Sequence, residues 1–191
     1  MPRTPGEDHF QQAVTPMDSD LGLIQVFTGD GKGKTTAALG QAMRAAGHGF
    51  KVYIVQFMKG WPSYGELKTV GQHPNITIKQ FGRPDFVDHD SPEPVDVRMA
   101  QEALEHSRDI VMSAEYDLVI LDEVNVALEW KLIGIDDLLA LMEEKPAQVE
   151  LILTGRYAHP EVIDRADQVT EMREIKHPYS RGLLGRRGID Y

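Results

Sequence analysis

A glycine-rich segment between a predicted strand and a predicted helix constrains the fold more than any other sequence feature. The apolar run at residues 23–28 predicts a strand, and residues 34–46 predict a helix. The segment that joins them contains alternating glycines followed by Lys-Thr-Thr: Gly29, Asp30, Gly31, Lys32, Gly33, Lys34, Thr35 and Thr36. Glycines let backbone N–H groups turn toward an anion, and the helix dipole strengthens that attraction. We therefore predict a phosphate loop that binds a nucleoside triphosphate, with Lys34 on phosphate oxygens and Thr35 on Mg²⁺.

The segment departs from the strict Walker A pattern at one position. That pattern requires glycine five residues before Gly33, where this chain has Thr28, and the first glycine stands at 29 instead. The alternative interpretation is a glycine-rich turn that binds nothing. The Gly-Lys-Thr triplet at the start of a helix and the alternating glycines before it favour the phosphate loop.

Strand and helix patterns alternate along the rest of the chain. Further strands are predicted at residues 52–57, 76–80, 118–122, 150–154 and 168–172, and further helices at 94–113, 135–143 and 160–165. Several strands are continuous apolar runs, typical of strands covered on both faces. The pattern predicts an α/β fold, a P-loop NTPase-like three-layer sandwich with a mostly parallel central sheet. Residues 1–20 are polar and proline-containing and predict a flexible N-terminal arm, and residues 21–191 form the predicted domain.

Composition limits the classes of partner. The chain has 191 residues, the size of one domain, and carries 30 acidic against 20 basic residues for a net charge of −10. Broad binding to nucleic acid draws on clustered positive charge, so we expect none. There is no cysteine, no apolar run near the roughly 20 residues of a membrane span and no secretory signal. We expect a cytoplasmic protein without a membrane partner.

Two further motifs follow apolar runs. The run at residues 116–123 is an apolar strand pattern that ends in two acids, Asp122 and Glu123, as in Walker B, and carboxylates there suit Mg²⁺. Arg156 follows the predicted strand at 150–154 and is a candidate contact for phosphate or an anionic partner. The alternatives are a solvated acidic turn and an ordinary surface arginine.

Five separated motifs together resemble one family. They are the glycine loop at 28–36, Val-Gln-Phe-Met-Lys-Gly at 55–60, Leu-Asp-Glu at 121–123, Thr-Gly-Arg at 154–156 and Gly-Ile-Asp-Tyr at 188–191. In this order they resemble the P-loop ATP:corrinoid adenosyltransferases, whose own loop has the displaced first glycine. The resemblance implies transfer of the 5′-deoxyadenosyl group of ATP to Co(I) of a reduced corrinoid, of cobalamin or cobinamide type, with release of triphosphate.

The resemblance also implies a site and partners. Co(I) is itself a strong nucleophile, so the protein has to position C5′ and stabilise the departing triphosphate. Lys34 and Glu123 are then the candidate catalytic residues, and Thr35 and Glu123 the leading contacts for Mg²⁺ or Mn²⁺, with Asp122 a weaker one. An electron-donating reductase or flavoprotein and a homodimer are expected as partners.

The chain departs from the family at two places. Asp30 stands where members often have Asn, and Asp88 takes the place of the tryptophan in a Phe-Thr-Trp sequence associated with displacing the lower cobalt ligand. Phe86 matches the first aromatic of that sequence, and its alternative role is ordinary loop packing. Trp61 is a candidate cover for a flat macrocycle, although a role in packing or in a dimer contact is the slightly favoured interpretation.

Two functions of other classes compete with adenosyl transfer. One is a P-loop ATPase that acts as a motor or switch, with Glu123 orienting water toward the γ-phosphate. The other is a nucleotide or corrinoid carrier without catalysis. The products of the reaction distinguish all three.

Overall fold

The computed structural model describes residues 21–85 and 87–190. The predicted N-terminal arm at 1–20 lies outside the described residues, as do Phe86 and Tyr191. Within the described part of the chain, no helix is long and apolar enough to cross a membrane.

Six strands form one sheet, in which every described pairing is parallel. The strands are β1 (Ile24–Thr28), β2 (Val52–Phe57), β3 (Ile76–Phe81), β4 (Leu118–Asp122), β5 (Glu150–Thr154) and β6 (Gln168–Glu171). Their order across the sheet is β3-β2-β4-β5-β1-β6. The four central strands are buried throughout, which explains their continuous apolar runs.

Within residues 21–85 and 87–190, six α-helices connect the strands. They are α1 (Lys34–Gly47), α2 (Gly65–Thr69), α3 (Pro94–Ser113), α4 (Val124–Glu129), α5 (Ile135–Glu144) and α6 (Pro160–Arg165), with 3-10 turns at Val70–Gln72 and Pro178–Arg181. The helices predicted from sequence are all present, within one residue at each end. The short helices α2 and α4 were not predicted.

Two apolar clusters define the layers on either side of the sheet. In one, the alanine face of α1 packs against Phe27, Ile54, Ile120 and Ile152 of the sheet. In the other, α3, α4, α5 and α6 cover alternate residues of the same strands, among them Val26, Val55, Leu121 and Leu153. The three-layer α/β sandwich predicted from sequence is therefore confirmed.

The topology brings the motifs to one edge of the sheet. Because all the strands run the same way, the segments that follow β1, β2, β4 and β5 leave at the same carboxyl edge. In open α/β sheets this edge is where ligands bind. The glycine loop, the acidic pair and Arg156 all lie there.

Candidate active site

The glycine loop leaves β1 and enters α1 through a tight backbone turn. Gly29 and Gly33 have positive φ angles of 95° and 122°, a region that side chains disfavour. The N–H of Gly31 donates to the carbonyl of Met172 at 2.6 Å. A Cβ at Gly31 would lie 2.8 Å from the backbone of Arg173, so close packing against the chain after β6 also requires glycine.

Lys34, the first residue of α1, turns back over the loop. Its ammonium donates to the carbonyls of Gly29 and Gly31, both at 2.7 Å, and the residue is only 8% exposed. Burial lowers the pKa of Lys34 below its usual value, although the carboxylate of Glu123 opposes that shift. The loop thus holds a buried cation at the place where phosphate oxygens are expected.

Asp122 ends β4 and is buried with four hydrogen-bond donors around its carboxylate. Thr35 and Thr154 donate their hydroxyls to Oδ1 at 2.8 Å each. Gln56 donates to Oδ2 at 3.1 Å, and Lys59 forms an ion pair with the same oxygen at 2.7 Å. Burial alone would raise the pKa of Asp122, but Lys59 and the hydroxyl donors hold it below its usual value. Asp122 is therefore ionised, with its acceptor positions occupied by protein groups.

Glu123 begins the turn into α4 in a different environment. Its backbone is left-handed, with a φ of 66°, and its N–H donates to the hydroxyl of Thr154 at 3.0 Å. The residue lines the cavity described below. Burial, followed by the neighbouring charge of Asp122, raises the pKa of Glu123. A cation bound beside it would relieve both effects.

A cavity of about 630 Å³ opens beside the phosphate loop. The loop contributes residues 31–36, and Lys59, Glu123 and Arg156 add charged groups from three other segments. Apolar side chains complete the lining from the segments after β2, β3 and β4 and from the C-terminal segment. The volume lies within the range of about 300–1,000 Å³ found for small-molecule sites. The cavity lining combines basic side chains of the glycine loop with apolar side chains.

The structure brings most of the predicted site residues together. Gly31, Lys32, Gly33, Lys34, Thr35, Thr36, Glu123 and Arg156 line the cavity, while Asp122 is buried beside it against Thr35. Asp30 is exposed, and neither it nor Gly29 is among the described residues that line the cavity. Phe86 lies outside the described residues.

Sequence reasoning missed the partners of Asp122 and the closure of the cavity by the C-terminal segment. Lys59 and Gln56 were noted only as part of a motif, with no role assigned. A glutamine in the buried strand β2 was the available signal, because a buried polar group needs a partner. Lys32 pairs with the carboxylate of Asp190 and donates to the carbonyl of Ile189 at 2.9 Å, which ties residues 189–190 to the loop.

Comparison with solved structures supports the fold. A crystal structure of the RadB recombinase superimposes with a TM-score of 0.52 at 16% sequence identity, covering 83% of this chain and 77% of that one. Together with the glycine loop and the acidic strand end, this fold defines a P-loop nucleotide-binding protein.

The sequence comparisons then specify which one. The profile of the family described as ATP:corrinoid adenosyltransferase BtuR/CobO/CobP matches residues 20–191. The chain belongs to the ATP:corrinoid adenosyltransferase family. The predicted resemblance is thereby confirmed, as is the predicted activity, an ATP-dependent adenosyl transfer to a corrinoid. The alternative of a P-loop ATPase is not favoured.

Individual relatives agree with the family match over nearly the whole chain. A corrinoid adenosyltransferase of Escherichia coli (strain K12) is 36% identical over 179 residues, which is 93% of this chain and 90% of that protein. Corrinoid adenosyltransferase CobA of Salmonella typhimurium is 33% identical over 186 residues, 97% of this chain and 93% of that protein. A corrinoid adenosyltransferase of Pseudomonas aeruginosa is 34% identical over 180 residues, covering 94% and 89%.

Proposed function

We propose that this transferase holds the triphosphate of ATP on residues 29–36 as the leaving group. Co(I) of the reduced corrinoid attacks C5′ with its electron pair, the Co–C bond forms, and the C5′–O bond breaks with its electrons on the triphosphate. The cobalt becomes formally Co(III). The observation that best supports this assignment is the buried Lys34 ammonium, held by a loop that lines a cavity together with apolar side chains.

Lys34 and the loop N–H groups stabilise the charge that develops on the triphosphate. The carbonyls of Gly29 and Gly31 hold the Lys34 ammonium within the loop before the nucleotide binds, so little reorganisation is needed. Arg156 reaches the cavity from the segment after β5 and adds a second positive group. We assign Lys34 the main catalytic role and Arg156 a nucleotide-binding role.

Thr35 and Glu123 are the proposed protein ligands of Mg²⁺ or Mn²⁺. The hydroxyl of Thr35 retains acceptor lone pairs while it donates to Asp122, and Glu123 lines the cavity with a raised pKa that a cation would lower. Asp122 already accepts four hydrogen bonds, so it orients Thr35 and contributes charge without a direct metal contact. Magnesium, when bound, neutralises charge on the triphosphate.

The remaining assignments concern partners and setting. We propose that the corrinoid is of cobalamin or cobinamide type, that a reductase or flavoprotein supplies the electron for Co(I), and that the protein is a cytoplasmic homodimer. Phe86 is proposed to contact the corrinoid. The absence of cysteine and the acidic net charge of −10 support a cytoplasmic setting without nucleic acid.

The products of a single incubation test the reaction. With ATP, Mg²⁺ and chemically reduced cobalamin, we expect triphosphate and a light-sensitive Co–C bond in equal amounts. ADP and phosphate that form without dependence on the corrinoid would instead indicate an ATPase. Binding with an unchanged cobalamin absorbance spectrum under reducing conditions would indicate a carrier.

Substitution of Lys34 tests the assignment of the loop. Lys34→Ala removes a charge-assisted contact to the leaving group. We expect kcat/KM to fall by an amount that corresponds to about 2 kcal/mol or more of lost transition-state stabilisation. Lys68→Ala, an exposed lysine on α2, serves as the matched control and should leave kcat/KM unchanged. Turnover by Lys34→Ala at the control's rate would contradict the proposed position of the triphosphate.

A further inference from the structure

Part of the cavity lining is apolar and comes from segments other than the phosphate loop. We define the apolar wall as Met58, Val87, Val126 and Trp130, all of which line the cavity. They come from the segments that follow β2, β3 and β4. In the sheet these three strands lie together on one side of β5, and β1, which leads into the phosphate loop, lies on the other. The four residues of the apolar wall therefore follow strands that lie across β5 from the phosphate loop, as do the charged side chains of Lys59 and Glu123.

Trp130 has the largest side chain of the four residues in the apolar wall. Trp130 caps the C-terminus of α4, where its backbone N–H donates to the carbonyl of Val126 at 2.9 Å. The indole is half-buried and packs against the main apolar cluster of the protein. The ring of His89 meets it edge to face, with centroids 5.3 Å apart. The indole thus contacts both the apolar core and the loop after β3.

Trp61, the other tryptophan of the chain, is placed differently. It packs edge to face against Tyr64 at a centroid distance of 5.8 Å and is 41% exposed. Among the described residues that line the cavity, Tyr64 is present and Trp61 is not. This location favours the packing role that the sequence left open for Trp61.

We infer that Trp130 is the residue against which the corrin ring of the substrate packs, and that it determines affinity for the corrinoid rather than for ATP. The inference rests on the proposed function. A corrin ring is broad, flat and largely apolar, and an indole offers a large rigid contact area at little cost in conformational entropy. The apolar wall lies beside the acidic strand end of β4, so a ring packed there stands next to the nucleotide site.

Equilibrium dialysis of single variants tests this role. The probes are cob(II)alamin, cob(II)inamide and ATP–Mg²⁺, measured without air and without a reductant so that no adenosyl transfer occurs. Trp130→Ala should raise the dissociation constants of both corrinoids about tenfold, because both contain the ring, and leave that of ATP within about twofold. Trp130→Phe should retain most of the affinity. Trp61→Ala is the matched control and should bind all three probes as the unchanged protein does.

Three outcomes would overturn the inference. Unchanged affinity of Trp130→Ala for both corrinoids would show that the corrin ring does not pack on Trp130. A loss of affinity for cob(II)alamin alone would place Trp130 against the lower nucleotide, which only that probe contains. An equal loss for ATP would assign Trp130 to support of the whole site. If the unchanged protein forms triphosphate and a Co–C bond, each of these results refutes only the role of Trp130, whereas ADP as its product refutes the proposed function itself.

Discussion

The ion pair between Lys59 and Asp122 yields the sharpest prediction about stability. Lys59 follows β2, Asp122 ends β4, and the two strands are neighbours in the sheet. The carboxylate is 1% exposed and the ammonium side chain 15% exposed, so both charges are largely removed from water. Lys59→Met keeps much of the apolar stem of the side chain and deletes the charge that compensates Asp122.

The expected loss follows from what remains around Asp122. Removing one partner of a buried ion pair costs about 3–5 kcal/mol, because an uncompensated charge stays inside. In Lys59→Met the hydrogen bonds from Gln56, Thr35 and Thr154 to Asp122 remain. We therefore expect a cost at the lower end of that range, a decrease of about 3 kcal/mol in the free energy of unfolding. Asp122→Asn in the Lys59→Met background should recover about 2 kcal/mol, since the buried charge is then gone.

Urea unfolding of the two single variants and the double variant measures these energies. Lys68→Met, an exposed substitution on α2, is the control and should change the free energy by less than about 0.5 kcal/mol. Lys59 is the largest influence that lowers the pKa of Asp122, and burial is the influence that raises it, so we expect that pKa to be higher in Lys59→Met. The penalty of Lys59→Met should therefore be full at neutral pH and shrink as the pH falls and Asp122 takes up a proton. A cost below about 1 kcal/mol, or one independent of pH, would refute this account of the pair.

Three smaller predictions use the same unfolding assay. Gly60→Ala should destabilise the protein by about 1–3 kcal/mol, because the added Cβ would overlap a backbone carbonyl of the loop after β3. Gly40→Ala, in open space on α1, should stabilise the protein by about 0.5–1 kcal/mol. The reverse order of the two effects would contradict the packing. Burial, and after it the charge of Lys79, lowers the pKa of His106, so the contribution of His106 to stability is present above pH 6.5 and lost as the pH falls. His106→Phe should flatten that part of the dependence of the unfolding free energy on pH. An unaltered dependence would exclude His106 as its source. Thr154→Val removes a donor to Asp122 and an acceptor for the N–H of Glu123 and should cost about 1–3 kcal/mol, against almost nothing if water replaces both contacts.

Much of the fold was predictable because local patterns in this sequence agree with its tertiary structure. Strands buried on both faces read as apolar runs, and α3 begins and ends where its helical pattern does. The helix α4 was missed because it has only six residues, of which five are buried. A helix buried on all sides has no polar face, so its periodicity is lost.

The site was predictable only in its local parts. The glycine loop and the acids at the end of β4 are continuous in sequence, and their chemistry could be assigned directly. The contact between Lys59 and Asp122 joins residues 63 positions apart and depends on β2 lying next to β4. Alternation of strands and helices predicts a parallel sheet but not the order of its strands. Trp130 and the C-terminal segment were missed for the same reason.

The strand order also explains how one site can serve two unlike substrates. Asp122 ends β4 and Glu123 follows it, and β4 has β5 and then β1 on one side and β2 and β3 on the other. The phosphate loop follows β1 on the first side. Of the apolar wall, Met58 and Val87 follow β2 and β3 on the second side, and Val126 and Trp130 follow β4 itself. The acids at the end of β4 therefore lie at the boundary between the loop and this wall. If triphosphate occupies the loop and the corrin ring packs on Trp130, C5′ must lie at this boundary, where the C5′–O bond breaks. A metal held by Thr35 and Glu123 would help to neutralise the charge that develops on the leaving group, and the corrin ring would lie against the apolar wall.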